Sequence, residues 1–235
     1  YIPTISQEWG GVRQYAAGLM ELFPLLEEKY NFFILHDGND SLIMDAISRS
    51  NNVKLINPQD FHSSKIQVLK NKFVIVYNFI RNKKNLEKID LNNLKLMKII
   101  EKHNISIIHC PYQFIPKVKG IKLITTLHDV QELYFPEFFT AEERARRAYD
   151  YLDFIKRASK IVVSYNHIKN DIIKFFNQDE SKIEILLLKM NNLWFRKYEN
   201  TQITPINEFK EYIFYPANFW RHKNQKTLIE AIHYL

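Results

Sequence analysis

Lys122–Phe176 reads KLITTLHDVQELYFPEFFTAEERARRAYDYLDFIKRASKIVVSYNHIKNDIIKFF. Two short apolar runs, Lys122–Leu127 and Lys160–Ser164, read as strands covered on both faces, as in a parallel sheet. Helical patterns follow each of them. Thr140–Ser159 opens with Thr-Ala-Glu-Glu, a capping box in which Thr140 and Glu143 satisfy each other's backbone donors. Its Ala145, Ala148, Leu152 and Ile155 fall on one stripe. Asn166–Phe176 is the second helix. Strand, helix, strand, helix in succession predicts α/β layers joined by right-handed crossovers.

The same rhythm extends both ways along the chain. Further strands are expected at Asn31–Leu35, Val53–Ile56, Ile105–His109, Lys182–Leu187 and Tyr212–Tyr215. Helices are expected from Gly11 to about Glu28, with Pro24 kinking it or ending it early. Leu91–His103 and Asn224–Leu235 complete the set. The polar stretch Tyr198–Glu208, with Pro205, reads as an interdomain linker. The expected organisation is a first domain over residues 1–200, a linker over 201–210 and the start of a second domain over 211–235. A single βα unit cannot bury its own apolar faces, so 211–235 is expected either to open a second domain or to pack on the first.

Of the 235 residues, 46% are hydrophobic, enough for a large core, and 25% are charged, as in ordinary soluble proteins. The single cysteine, Cys110, excludes a disulfide framework or a cysteine-based zinc cage within one chain. A reducing cytoplasm fits that usage. No signal peptide is visible, and the lack of any run of about 18 or more apolar residues argues against a membrane span. The first residue is Tyr1, so an upstream piece is expected to be missing. Net charge is +7 and pI about 9.2. Nucleic acid, an anionic membrane surface or phosphorylated substrates would each suit that balance. No nucleic-acid motif accompanies it, and a diffuse basic surface also accounts for it.

Four segments can carry chemistry. Gly10-Gly11 opens a helix, where absent side chains admit a close ligand and free N–H groups attract an anion; a tight turn before a helix is the plain alternative. His128 and Asp129 end a candidate strand, where ligands gather in open parallel sheets; His128 also fits a core histidine bonded to a backbone carbonyl. Arg221, His222 and Lys223 cluster at a helix start, where a diphosphate leaving group could be neutralised; a solvated basic turn reads the same way. Lys65–Lys84 has six basic residues, no acidic ones and the mostly apolar run Phe73–Ile80. It suits an anionic membrane face or a core helix with basic ends.

Taken together, these segments resemble glycosyltransferase family 4, which has the GT-B fold. HDVQELYFPEFFTAEERARRAYDYLDFIKRASKIVVSYNHIKNDI, His128–Ile172, carries most of the likeness, with its His-Asp pair, aromatic-Pro-Glu-aromatic-aromatic stretch and Arg-rich helix. PANFWRHKNQKTLIEA, Pro216–Ala231, resembles the first strand–turn–helix of the donor domain, and Gly10-Gly11 stands where the family keeps its glycine loop. The resemblance implies a Rossmann-like, doubly wound, mostly parallel sheet. It also implies transfer from a nucleoside-diphosphate sugar to a glycan or lipid-linked acceptor, with anomeric retention, no metal and no cofactor. Nucleic acid is not an expected partner.

By the same likeness, Gly10 and Gly11 would face the donor phosphates and His128 would contact the transferred sugar. Lys223, helped by Arg221, would neutralise the departing diphosphate. Asp129 would hold its loop, and Gln131 and Pro136 would shape the cleft. Asn218 stands where many members carry an arginine, and Arg221, three residues on, is the possible substitute. The family's paired-glutamate motif would lie beyond Leu235, so the chain as given is expected to show little or no transferase activity alone. Two other classes compete: a non-catalytic sugar- or phosphate-binding module, and a basic membrane-docking protein. Loss of turnover on His128→Ala in the full-length chain separates the enzyme from the first. Salt-sensitive liposome binding without any sugar nucleotide marks the second.

Overall fold

The computed structural model describes residues 10–26, 28–36, 40–57, 91–187, 212–217 and 219–234. Helix α1, Gly10–Met20, ends well before Glu28, and a 3-10 turn, Phe23–Leu25, takes over at Pro24. Proline has no N–H to donate and its ring clashes with the preceding turn, so the α-helix cannot run through it. Strand β1 is Phe32–Leu35, and helix α2, Ser41–Ile47, follows. Asp40 caps α2 by accepting from the amides of Leu42 and Ile43. Strand β2, Val53–Ile56, pairs in parallel with β1.

The second half holds a four-stranded parallel sheet. Helix α3, Leu91–His103, leads into β3, Ile107–Cys110, and β4, Lys122–Thr126. The short helix α4, Gln131–Tyr134, a 3-10 turn at Pro136–Phe138 and the long α5, Ala141–Arg157, come next. Then follow β5, Lys160–Val163, α6, Asn166–Phe176, and β6, Ile183–Ile185. The sheet order is β3-β4-β5-β6, every pair parallel. Ile161, Val162 and Val163 of β5 are buried in succession, so helices cover both faces there. At the sheet edge β6 buries only Ile183 and exposes Glu184 and Ile185.

The capping box of α5 is formed: Thr140 Oγ1 accepts from the Glu143 amide, and the Glu143 carboxylate accepts from the Thr140 amide. The buried stripe differs from expectation. Ala145, Ala148 and Leu152 are exposed, and the inward face carries Tyr151, Phe154, Ile155 and Ala158. Burying rings removes more apolar area from water than burying alanines, so the aromatic side sets the helix rotation.

Residues 212–217 form no regular element, and the expected strand Tyr212–Tyr215 forms no ladder among the described residues. After a 3-10 turn at Arg221–Lys223, helix α7, Gln225–Ile232, buries none of its residues. The Lys65–Lys84 segment, the 201–210 linker and Asn218 lie outside the described residues. No described helix is long and apolar enough to cross a membrane.

Candidate active site

The carboxyl ends of β3 and β4 and the first turns of α1 meet in one place. His128 follows β4 by two residues. Its Nε2 lies 3.0 Å from the Pro111 carbonyl oxygen. A carbonyl only accepts, so Nε2 carries the proton and Nδ1 is left with its lone pair. The Tyr15 ring of α1 stands edge-on to the imidazole, centroids 4.8 Å apart at 85°. Burial lowers the His128 pKa, and the Pro111 carbonyl and the Asp129 carboxylate offset part of that. His128 is therefore neutral near pH 7.

The loop that supplies Pro111 is pinned from two sides. Buried Thr125 Oγ1 lies within hydrogen-bond reach of the Tyr112 and Phe114 carbonyls, at 3.0 and 3.2 Å. Arg157, at the end of α5, donates to the Pro116 and Ile115 carbonyls while paired with Asp153 at 2.6 Å. Both anchors fix the carbonyl that orients His128.

Asp129 shapes the chain around it. Its Oδ1 accepts from the Gln131 amide at 3.4 Å, and its carbonyl accepts from Gln113 Nε2 at 3.3 Å. Within the following helix α4, Glu132 is buried and paired with Arg147 at 3.1 Å. Arg147 also donates to Tyr151 and lies over the Phe139 ring, 4.7 Å from its centroid. Burial raises the Glu132 pKa, with the Arg147 charge opposing.

Tyr15, His109 and Thr126 do not stand among the sequence-derived site residues. Tyr15 sits one turn into α1, and burial raises its phenol pKa. Its hydroxyl makes no hydrogen bond of standard geometry among the described residues. Thr126 on β4 lies 3.1 Å from His109 Nε2 on β3. Burial pushes His109 down to about 4. The one available clue is Tyr15 standing four residues after Gly11 and four before Leu19, on one helix face.

The remaining sequence-derived candidates divide around this centre. Gly10 and Gly11 begin α1, and a β-carbon added at Gly11 would meet nothing within 4 Å. Gln131 lines a cavity of about 600 Å³ together with Phe138, Trp220, Arg221 and His222. The Arg221 guanidinium lies over the Phe138 ring, 6.0 Å from its centroid, and His222 packs on the same ring. Lys223 closes the turn: its carbonyl accepts from the Tyr215 hydroxyl at 2.8 Å, and Asn224 follows at φ 53°. Pro136 starts the exposed 3-10 turn that carries Phe138. The His128–Phe138 segment thus touches α1 at one end, through Tyr15, and the basic turn at the other, through Phe138. Among the described residues no group of three or more His, Cys, Asp or Glu could hold a metal ion.

A parallel α/β sheet with a histidine at the carboxyl end of a central strand, flanked by a glycine-led helix, has the layout of a ligand crevice in an open sheet. Residues 46–187 match the family model described as Glycosyltransferase Family 4. That span is more than half of the chain, and the chain belongs to this glycosyltransferase family. The match runs from within α2 to just past β6, so it contains His128, Asp129, Gln131 and Pro136. Gly10, Gly11, Arg221 and Lys223 lie outside it. No curated protein gives a significant match to the chain.

Proposed function

We propose that the protein moves a hexose, with mannosyl as one option, from a nucleoside-diphosphate sugar to a glycan or lipid-linked acceptor, with retained anomeric configuration and without a metal. His128 carries this reading. Its Nε2 is committed to the Pro111 carbonyl, so Nδ1 is the ring's acceptor, suited to a hydroxyl of the transferred sugar. Gly10 and Gly11 admit the donor phosphates at the start of α1, where the space beside Gly11 is open. Arg221 and Lys223 neutralise the leaving diphosphate. Asp129 keeps the loop in shape through Gln131 and Gln113, and Gln131 and Pro136 border the cleft.

The setting we propose is cell-surface polysaccharide synthesis at the cytoplasmic face of the membrane, with Lys65–Lys84 as the basic contact. Liposome flotation tests that contact: changing Lys70, Lys72, Lys83 and Lys84 to Glu abolishes binding to anionic vesicles, and unchanged flotation removes it. The reaction itself is tested by incubating the full-length protein with nucleoside-diphosphate hexoses and acceptor, reading the product's anomeric configuration by NMR. Retention is expected. Inversion, or no turnover of any nucleoside-diphosphate hexose, overturns the assignment.

A further inference from the structure

Helix α1 reaches His128 through the Tyr15 ring, which stands edge-on to the imidazole with centroids 4.8 Å apart. Nε2 of the same imidazole is held by the Pro111 carbonyl at 3.0 Å. The histidine is therefore gripped from two elements, the loop after β3 and α1. The approach of α1 is itself fixed at two points. Ala16, Ala17 and Met20 are buried in a core with Ile34, Ile43 and Ala46, which sets the rotation of the helix. In its first turn Arg13 Nη2 donates to Asp40 Oδ1 at 2.7 Å, and Asp40 caps α2. Tyr15 stands four residues after Gly11, so its ring and the glycine turn share one helix face.

The ring and the hydroxyl of Tyr15 stand differently in the site. The hydroxyl is buried and makes no hydrogen bond of standard geometry among the described residues. Burial raises its pKa, and Thr126 alone opposes that. The ring makes the contact with His128. We propose that Tyr15 is a positioning residue whose ring, without its hydroxyl, stops the His128 imidazole from turning and keeps water off it. Nδ1 then stays aimed at the hydroxyl of the transferred sugar. This rests on the sugar-contacting reading of His128. Tyr15 lies outside residues 46–187, the span of the family match.

The groups facing His128 are Tyr15, the Pro111 carbonyl and the neighbouring Asp129. The last two raise its pKa and burial lowers it, so water admitted by loss of the ring lets it rise. Imidazole ¹⁵N titration and donor turnover are measured on the full-length protein as wild type, Tyr15→Leu, Tyr15→Met and Tyr15→Phe. Methionine is the second ring-free variant because its flexible chain refills the space. With either ring-free variant, the His128 midpoint should rise by about half a pH unit or more. Its kcat should fall about tenfold or more, with donor KM within about threefold. Tyr15→Phe should restore both. An unchanged His128 titration in both ring-free variants overturns the proposal, as does an unchanged kcat or a loss carried by donor KM. A Tyr15→Phe loss equal to that of Tyr15→Leu also overturns it, because the hydroxyl would then be the working group. Wild-type protein that turns over no nucleoside-diphosphate hexose sinks the transfer reading instead, and the titration still decides whether Tyr15 holds the histidine.

Discussion

The His128 imidazole donates through Nε2 to the Pro111 carbonyl oxygen at 3.0 Å, tying the end of β4 to the end of β3. That bond fixes the ring's tautomer and orientation before any ligand arrives. It is predicted to appear in long-range ¹H–¹⁵N spectra as a neutral imidazole protonated at Nε2 at pH 7. Burial lowers the His128 pKa, so the signal stays neutral below pH 6.5. A ring half-protonated near pH 6.5 would contradict the burial described.

Removing a loop anchor should reach His128 without touching it. Thr125→Val keeps the shape but leaves the Tyr112 and Phe114 carbonyls without their hydroxyl. A loss of about 0.5–1.5 kcal/mol in urea unfolding is expected from the lost hydrogen bond, since the Phe114 amide still donates to the Tyr112 carbonyl at 2.7 Å. A shift of the His128 ring resonances should accompany it. A stability loss with unchanged His128 resonances would separate the loop from the histidine.

Acid should weaken the fold through His109. Its pKa is about 4 in the folded chain, against 6.5 ordinarily. As pH falls below 6.5 the unfolded chain takes up the proton first, so stability is lost down to pH 4. The loss from this group reaches about 3 kcal/mol over that window. Urea unfolding at pH 7.0 and 4.5 measures it, and His109→Gln should flatten the difference.

Glu132 and Arg147 form a pair with one buried and one partly exposed partner, at 4% and 34% side-chain exposure. Arg147→Met strands the carboxylate and should cost about 2 kcal/mol, below the range for fully buried pairs because water reaches the arginine. Adding Glu132→Gln should restore part of it. Chemical denaturation of the single and double variants provides the check.

Thr140→Ala should destabilise by about 1 kcal/mol through loss of the α5 cap, whereas Glu143→Gln, which keeps the reciprocal bond, should cost less. Thermal unfolding distinguishes the two.

Much of the fold was legible because local signals agreed with burial. Leu91–His103 and Asn166–Phe176 form over the expected residues, each with its apolar positions at helical spacing. The capping box at Thr140 set the start of α5, yet its inward face was misjudged: small residues at 145 and 148 fit a stripe as well as Tyr151 and Phe154 do, and only packing distinguishes them. Helix α2 escaped notice because it is seven residues long and its cap, Asp40, acts from outside the apolar pattern. At the site, His128 was legible from its place at a strand end. Tyr15 was not, since it meets the imidazole only when α1 packs on the end of β4, and neither was the His109–Thr126 contact, which forms only when β3 and β4 pair.

The central claim is that the His128 turn and the basic turn act on one nucleoside-diphosphate sugar. The most direct measurement is kcat/KM for donor turnover by the full-length protein, for wild type, His128→Ala, Lys223→Ala and the double variant. Each single change should lower kcat/KM about 100-fold or more, and the double variant should lose less than the product of the two, because both groups serve the same transition state. Turnover that survives His128→Ala and Lys223→Ala unchanged would contradict the claim.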